Sequence, residues 1–291
     1  MYRILIALSL STCILVLKAQ DHYAFSGMTK EQAIEVQKAA SKHYGVPEVL
    51  QLKLTDKVII DFILIPPGEF QMGSKITKEN IAKLFGGNAE EYDLHYPKNS
   101  DKQHLVKLTK PFYMSIYEIT QSQWNSLMEN NPSPNHRPDL PVGNVSWDDC
   151  KEFISKLSEK TGKDFRLPTE AEWEYSCRAG TVTEFYFGDE LTKELANYDN
   201  DRSVAVGSYP SNAWGLFDMH GNVLEWVEDS YYWYTEEAQT DPLHTDYPYG
   251  KMYRGGSYDS GMKASRSAAR VAHSQSMSYE TYGFRIVCLI E

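Results

Sequence analysis

The sequence has no excess of positive charge: 29 Lys and Arg stand against 40 Asp and Glu, a formal net charge of −11. A surface of that sign argues against nucleic acid and anionic membrane as partners, because both must be neutralised by cations. It leaves cations and neutral or basic ligands open. No apolar run reaches the ~18–20 residues that a membrane span needs. The longest stretch, Ile4 to Leu17, falls short of it. Locally encoded catalytic signatures are missing too. There is no P-loop, no dinucleotide glycine fingerprint and no Gly-x-Ser-x-Gly elbow. The histidines, at 22, 43, 95, 104, 136, 220, 244 and 273, show neither His-x-x-x-His nor His-Glu-x-x-His spacing. That excludes a helical metal-binding pair and leaves only a cluster assembled in three dimensions. No internal repeat or low-complexity segment stands out.

What is present is enough apolar and aromatic mass, 42% and 13% of 291 residues, for one large core rather than two small ones. All six Trp (124, 147, 173, 214, 226, 233) lie between residues 124 and 233, so the core is expected there. Residues 1–20 read as a secretory leader: Arg3, the apolar run, then Lys18-Ala-Gln20 before polar Asp21, with cleavage expected after Ala19 or Gln20. Leu10-Ser-Thr-Cys13 faintly matches a lipoprotein box, but four more apolar residues follow Cys13 and would be cut off. Losing Arg3 and Lys18 takes the net charge from −11 to −13. The mature protein is expected to be periplasmic or secreted, with no membrane span. Its remaining cysteines, Cys150, Cys177 and Cys288, would meet an oxidising compartment.

Residues 21–50 form an N-terminal helical extension. Thr29 with Gln32 makes a capping box, Gly45 with Pro47 stops the helix, and Ala33, Val36 and Ala40 give it one apolar stripe. It is expected on the outside of the main domain, residues 51–291. Val58 to Ile65 reads as a strand ending at Pro66-Pro67-Gly68, and residues 75–105 as a polar surface loop. Thr120 opens a helix to about Met128. Ser146 opens a second, ended by Gly162, with Cys150, Phe153, Ile154 and Leu157 on one face. Thr169 with Glu172 opens a third. These three starts are ordinary N-caps and need no functional role. Beyond residue 180, Tyr, Gly, Asp, Asn and Ser dominate and predict short strands joined by long loops. Loops longer than about 12–15 residues are uncommon unless functional or stapled, and bound ions with a dense aromatic core would staple them. Pattern alone predicts an α+β fold.

The most informative stretch is Gly215-Leu-Phe-Asp-Met-His-Gly-Asn-Val-Leu-Glu-Trp226. Two carboxylates, Asp218 and Glu225, flank a Gly-Asn turn whose carbonyls can face inward, an oxygen set that suits a hard cation such as Ca²⁺. The plain alternative is a tight turn before a buried Trp, with the acids merely solvated. The stretch stands among other blocks in fixed order: Phe70-Gln-Met-Gly-Ser74, Glu118-Ile-Thr-Gln-Ser-Gln-Trp124, Pro141 to Asp149, Arg166-Leu-Pro-Thr-Glu-Ala-Glu-Trp-Glu-Tyr-Ser-Cys-Arg-Ala-Gly180, Arg254-Gly-Gly-Ser-Tyr258, Arg266-Ser-Ala-Ala-Arg270 and Gly283-Phe-Arg285. Together they resemble the formylglycine-generating enzyme (sulfatase-modifying factor) family over roughly residues 58–288.

The resemblance implies a C-type-lectin-like formylglycine-generating-enzyme fold with little regular secondary structure and long ordered loops. It implies one structural calcium site made of Asp218, the carbonyls of Gly221 and Val223, and Glu225. A second would begin at Asn197 and the Tyr198 carbonyl, with Asp199 and Asp201 as substitutes for ligands that have no clear match. Arg254, Ser257 and Tyr258 are candidates for lining the substrate groove. The family's oxidase activity needs a copper-binding cysteine pair after the Arg-Gly-Gly-Ser block, since soft thiolates select Cu(I). Here no cysteine lies between Arg254 and Phe284, and the expected positions fall at Ser260 and near Met262. Copper is therefore not expected, and no catalytic residue is assigned. Three functions are compatible: a ligand-binding or sulfatase-maturation accessory that takes a peptide or protein partner, a divergent oxidase using another cofactor, and a surface interaction module. Family disulfides fall where this chain has Ile154 and Ile286. Cys150 and Cys288 are displaced from them by a helical step and a strand step, so a shifted bridge is possible. The alternative is that Cys150, Cys177 and Cys288 are small buried hydrophobes.

Overall fold

The computed structural model describes residues 23–24, 27–75, 102–246 and 248–290. The expected leader and most of the polar loop at 75–105 lie outside the described residues. The fold is α+β, built on three small sheets and few helices. A five-stranded antiparallel sheet runs β2 (Val49–Lys53), β3 (Ile59–Ile65), β6 (Phe112–Ser115), β13 (Val287–Leu289) and β7 (Phe165–Arg166). A second sheet orders β1 (Tyr23–Ala24), β4 (Gly68–Met72), β5 (His104–Leu108) and β9 (Gln239–Thr240). The third orders β11 (Val271–His273), β10 (Lys251–Arg254), β8 (Leu224–Ser230) and β12 (Tyr282–Gly283).

The five-stranded sheet is buried on both faces, which its residue alternation explains. Ile63, Ile65, Phe112, Met114 and Val287 point into one core cluster. Ile60, Phe62, Leu64, Tyr113 and Ile286 point into the other. On the first side packs α4 (Glu170–Arg178), carrying Trp173, Tyr175 and Cys177. On the second packs α3 (Trp147–Thr161), whose Cys150, Phe153, Ile154 and Leu157 face is buried as its spacing predicts. There Phe153 stacks on Trp124 at 5.5 Å between centroids, an arrangement worth about 0.5–1.5 kcal/mol beyond its area.

The four expected N-caps all form capping boxes, at Thr29, Thr120, Ser146 and Thr169. Two expectations need correction. The helix after Thr120, α2 (Gln121–Asn125), stops short of Met128 because the Ser126 hydroxyl turns back to bond the Gln123 carbonyl at 2.7 Å. The N-terminal helix, α1 (Lys30–Tyr44), is not an external addition. Ala33 and Val36 enter the first core and Ala40 the second. Gln37 Nε2 donates to the Leu64 carbonyl at 2.8 Å, and Trp214 Nε1 donates to the Ala33 carbonyl at 3.1 Å. No helix among the described residues is long and apolar enough to cross a membrane.

Candidate functional site

The α4 helix presents two carboxylates to the interior, Glu170 and Glu174, and neither retains any exposure. Charges buried this deeply must be paired. Arg270 forks onto Glu170 through Nε (2.6 Å) and Nη2 (2.7 Å). Arg254 reaches Glu174 at 2.5 Å and the carbonyls of Ser267 and Ala269 at 2.8 and 2.9 Å. Arg178 donates to the other Glu174 oxygen at 2.9 Å. Burial pushes the Glu174 carboxyl up, but Arg178 and Arg254 outweigh it and hold it below the ordinary value. Arg254 therefore belongs to an enclosed ion network that ties residues 254–270 to α4, not to an open groove.

The other two groove candidates are buried as well. Ser257 has no exposure and Tyr258 only 5%. Ser257 Oγ bonds Asp259 Oδ1 at 2.5 Å and Ser260 Oγ at 2.7 Å, and Ser260 Oγ accepts the Ser257 N–H at 3.0 Å. Ser260, where the first copper thiolate was expected, thus closes a turn. Met262, near the second expected position, opens a short 3-10 helix and packs against the small cluster around Phe185. Neither position offers a soft ligand pair.

One thiol lies nearby, in surroundings that disfavour its thiolate. Cys177 Sγ lies 3.8 Å from His220 Nε2 and 3.7 Å from Ser267 Oγ. Both His220 nitrogens are engaged: Nδ1 with the Ser265 carbonyl at 2.7 Å, and Nε2 accepting the Tyr186 N–H at 3.1 Å. That pattern requires a neutral ring with its proton on Nδ1. Burial pushes the His220 pKa down to about 3 and the Cys177 thiol up to about 12. A base that is already bonded and a thiol that stays protonated do not make a nucleophile pair. Cys150 and Cys288 are both buried in the second core cluster, on the α3 side of the five-stranded sheet.

The Asp218 loop is different, because its charges do not balance. Asp218 is 4% exposed and adopts φ 57°, a left-handed conformation that Asp tolerates better than most residues. Its Oδ2 accepts the Gly207 N–H at 2.6 Å, while Oδ1 is buried with no partner among the described residues. Glu118, equally buried, accepts from Asn222 Nδ2 at 2.7 Å and from the Val223 N–H at 3.0 Å. Glu225 is held by Arg285 through both oxygens, at 2.6 and 2.7 Å, and by Trp173 Nε1 at 2.7 Å. Three buried carboxylates thus face one guanidinium. Burial and the neighbouring acids raise Glu118 well above the carboxylate range, and burial raises Asp218 to about 6. Glu118 belongs to this cluster and was visible in the sequence only as the first letter of a block.

Gly221 locks the loop against its neighbour. A Cβ there would lie 2.1 Å from the Asn197 carbonyl oxygen, and its φ is +87°. Asn197 is thereby brought beside the Asp218 loop, and its side chain is committed to the Arg202 carbonyl, Asn200 and Asn222. The second expected cation position is filled from within the chain. Lys193 Nζ donates to the Tyr198 and Asp199 carbonyls, lies 3.4 Å from the Asp199 carboxylate, and sits 4.5 Å over the Tyr198 ring. Two open clefts, of about 830 and 490 Å³, lie elsewhere, and neither is lined by residues 254, 257 or 258.

This arrangement can be set beside known proteins. The profile of the sulfatase-modifying factor enzyme 1-like domain matches residues 52–290, most of the chain. The chain belongs to this family. Over 171 residues it is 36% identical to the formylglycine-generating enzyme of Streptomyces coelicolor, which covers 51% of this chain and 52% of that one. Over 152 residues it is 36% identical to the serine/threonine-protein kinase pkn1 of Chlamydia caviae, covering 50% of this chain but only 23% of the kinase. The chain thus spans well under two thirds of either relative. A solved structure, Treponema denticola variable protein 1, superposes with a TM-score of 0.72 at 22% identity, covering 84% of this chain and 100% of the other. That likeness concerns the fold, which is the C-type-lectin-like one of formylglycine-generating-enzyme relatives.

Proposed function

We propose that the protein is a secreted or periplasmic ligand-binding member of the sulfatase-modifying factor family that does not carry out copper-dependent formylglycine formation. The observation that carries this reading is the turn at Ser257–Ser260, where hydroxyls bond one another at the position of the first expected thiolate. A hydroxyl and a thioether do not replace two thiolates for Cu(I). A peptide or protein is the expected ligand, a sulfatase among the candidates, in an accessory role during maturation. The relatives named as formylglycine-generating enzymes support that partner class.

One calcium ion at the Asp218 loop is part of the proposal. The fit rests on the charge imbalance and on the orphaned Asp218 Oδ1. Among the described residues Glu225 Oε1 accepts only from Arg285 Nη2, which leaves a lone pair for a cation. Asp218 and Glu225, with the Gly221 and Val223 carbonyls, would hold the ion, which would supply positive charge and rigidity but no redox chemistry. Lys193 leaves no place for a second ion beside Tyr198 without its own displacement.

The test of the function is direct. Purified protein loaded with copper and given a sulfatase-type Cys peptide should return the peptide with its thiol intact. An aldehyde product seen by mass spectrometry would overturn the proposal.

A further inference from the structure

The larger cleft, about 830 Å³, opens on the edge of the β11-β10-β8-β12 sheet, away from the Asp218 loop and the Ser257 turn. That size is typical of small-molecule sites. Its floor is Lys251, paired across the sheet with Ser230 on one side and His273 on the other. The register between β10 and β8 shifts between Lys251 and Tyr253, and such irregularities re-aim side chains next to sites.

Lys251 is only 9% exposed. Its Nζ donates to the Glu228 carbonyl at 3.0 Å and sits 4.4 Å over the Trp147 ring. The Glu228 carboxylate is taken by a second ammonium, Lys151, at 2.8 and 2.9 Å, itself 5.1 Å from the same ring. Two ammoniums therefore flank one indole, and the carboxylate within reach serves Lys151. Among the described residues Lys251 has no acid of its own at ion-pair distance. Burial lowers its pKa, outweighing Glu228, Asp229 and Asp148, which act from beyond ion-pair distance to raise it.

The mouth of the cleft is aromatic and the rim is polar. Tyr249, which lines the cleft, is 61% exposed; Trp233, outside the lining, is 52% exposed, with ring centroids 6.3 Å apart. Exposed rings at a cleft are suited to covering a flat apolar face. Ser230, Thr245, Ser274 and Gln275 line the walls with hydroxyls and an amide.

We infer that this cleft binds an acidic sugar, a pyranose bearing one carboxylate. The carboxylate pairs with Lys251, the C–H face of the ring lies on Tyr249, and the ring hydroxyls bond the polar walls. A single charge is favoured over a phosphate or a polyanion. Lys151 is already neutralised by Glu228, and Asp148 stands at the rim within 3.3 Å of Gln275. The chain as a whole, at −11, repels highly charged anions. An acidic peptide would satisfy Lys251 but has no ring for Tyr249. The inference is independent of the copper and calcium readings and would survive the failure of either.

The test is titration of the intact protein with D-glucuronate, followed by tryptophan fluorescence or NMR shifts. D-glucose, acetate and N-acetyl-aspartamide serve as comparators. Saturable glucuronate binding is expected, near-millimolar in Kd, with glucose and acetate each weaker by about tenfold or more. Tyr249→Ala, an exposed substitution that leaves the fold alone, should weaken glucuronate about fivefold or more. Lys251→Met should abolish the preference for glucuronate over glucose, and Lys251→Arg should retain it. Absence of saturable binding, equal binding of glucose, or an unaffected Tyr249→Ala variant would overturn the inference. N-acetyl-aspartamide binding as tightly as glucuronate would assign the cleft to acidic peptides and overturn it as well.

Discussion

Asp218→Asn is the most informative perturbation of the candidate cation site. The amide has the size of the carboxylate, tolerates the same left-handed backbone, and keeps an oxygen for the Gly207 N–H. It removes one buried negative charge beside Glu118 and Glu225. In the folded protein the Asp218 carboxyl is raised from 3.8 to about 6. That shift means folding favours the protonated form. The favourable contribution is complete below pH 4 and disappears as pH rises through about 6, leaving an ionised group that costs about 3 kcal/mol above that. In EDTA at pH 8 the variant should therefore be more stable than the parent by up to about 3 kcal/mol, or roughly 6–12 °C in Tm for a domain of this size. At pH 5 the gap should narrow. Asp229, raised to about 7 by burial and Glu170, titrates in both proteins and cancels in the comparison. Calcium should narrow the gap. At 1 mM free Ca²⁺ and a Kd of about 10⁻⁴ M, linkage stabilises the parent by roughly 1.4 kcal/mol and the variant much less. Urea or thermal melts at two pH values, with EDTA or calcium, measure all four cases. If Asp218→Asn is the less stable protein in EDTA at pH 8, or keeps the full calcium response, the reasoning about this site is wrong.

Other substitutions probe separate parts of the fold. Gly221→Ala should destabilise by at least about 2–3 kcal/mol, because its Cβ would collide with the Asn197 backbone and φ is +87°; a melt within 1 °C of the parent would contradict this. Lys193→Ala should raise calcium stoichiometry, measured by metal analysis after dialysis, from one toward two, since it vacates the Tyr198 and Asp199 carbonyls. Peptide mapping without reductant should recover Cys150 and Cys288 as separate alkylated peptides; a linked pair would restore the bridge.

Local structure was legible in the sequence wherever it depends on neighbours in the chain. Thr29, Ser146 and Thr169 cap their helices because the hydroxyl and the N3 side chain are only three residues apart. The buried face of α3 follows from helical spacing, and the alternation in β3 from strand spacing. Asp218 and Glu225 stood out because they flank a Gly-Asn turn. What was not legible depends on distant partners. Nothing at Glu170 announces that Arg270, a hundred residues on, will fork onto it. For the same reason Arg254 looked like a groove residue. Glu118 joins Asp218 across about a hundred residues, and Arg285 claims Glu225 across sixty. Lys251 gave no signal at all, because its lack of an acid at ion-pair distance is a property of the folded sheet. The N-terminal helix was placed outside because it precedes the family blocks, yet Gln37 and Ala33 contribute polar bonds that hydrophobicity cannot reveal.

The clamp between α4 and the arginines has a consequence for how this protein can change over generations. Arg254 ends β10 and Arg270 immediately precedes β11, so both strands are anchored at their inner ends by Glu170 and Glu174. Their outer ends carry the cleft, through Gly250, Lys251, Ala272 and His273. Substitutions at 248, 249 and 273–275 fall beyond the anchor points, at residues that belong to neither the ion network nor either core cluster. The frame and the recognition surface are thus mechanically separate, and a lineage can rewrite what the cleft accepts while inheriting the same scaffold unaltered.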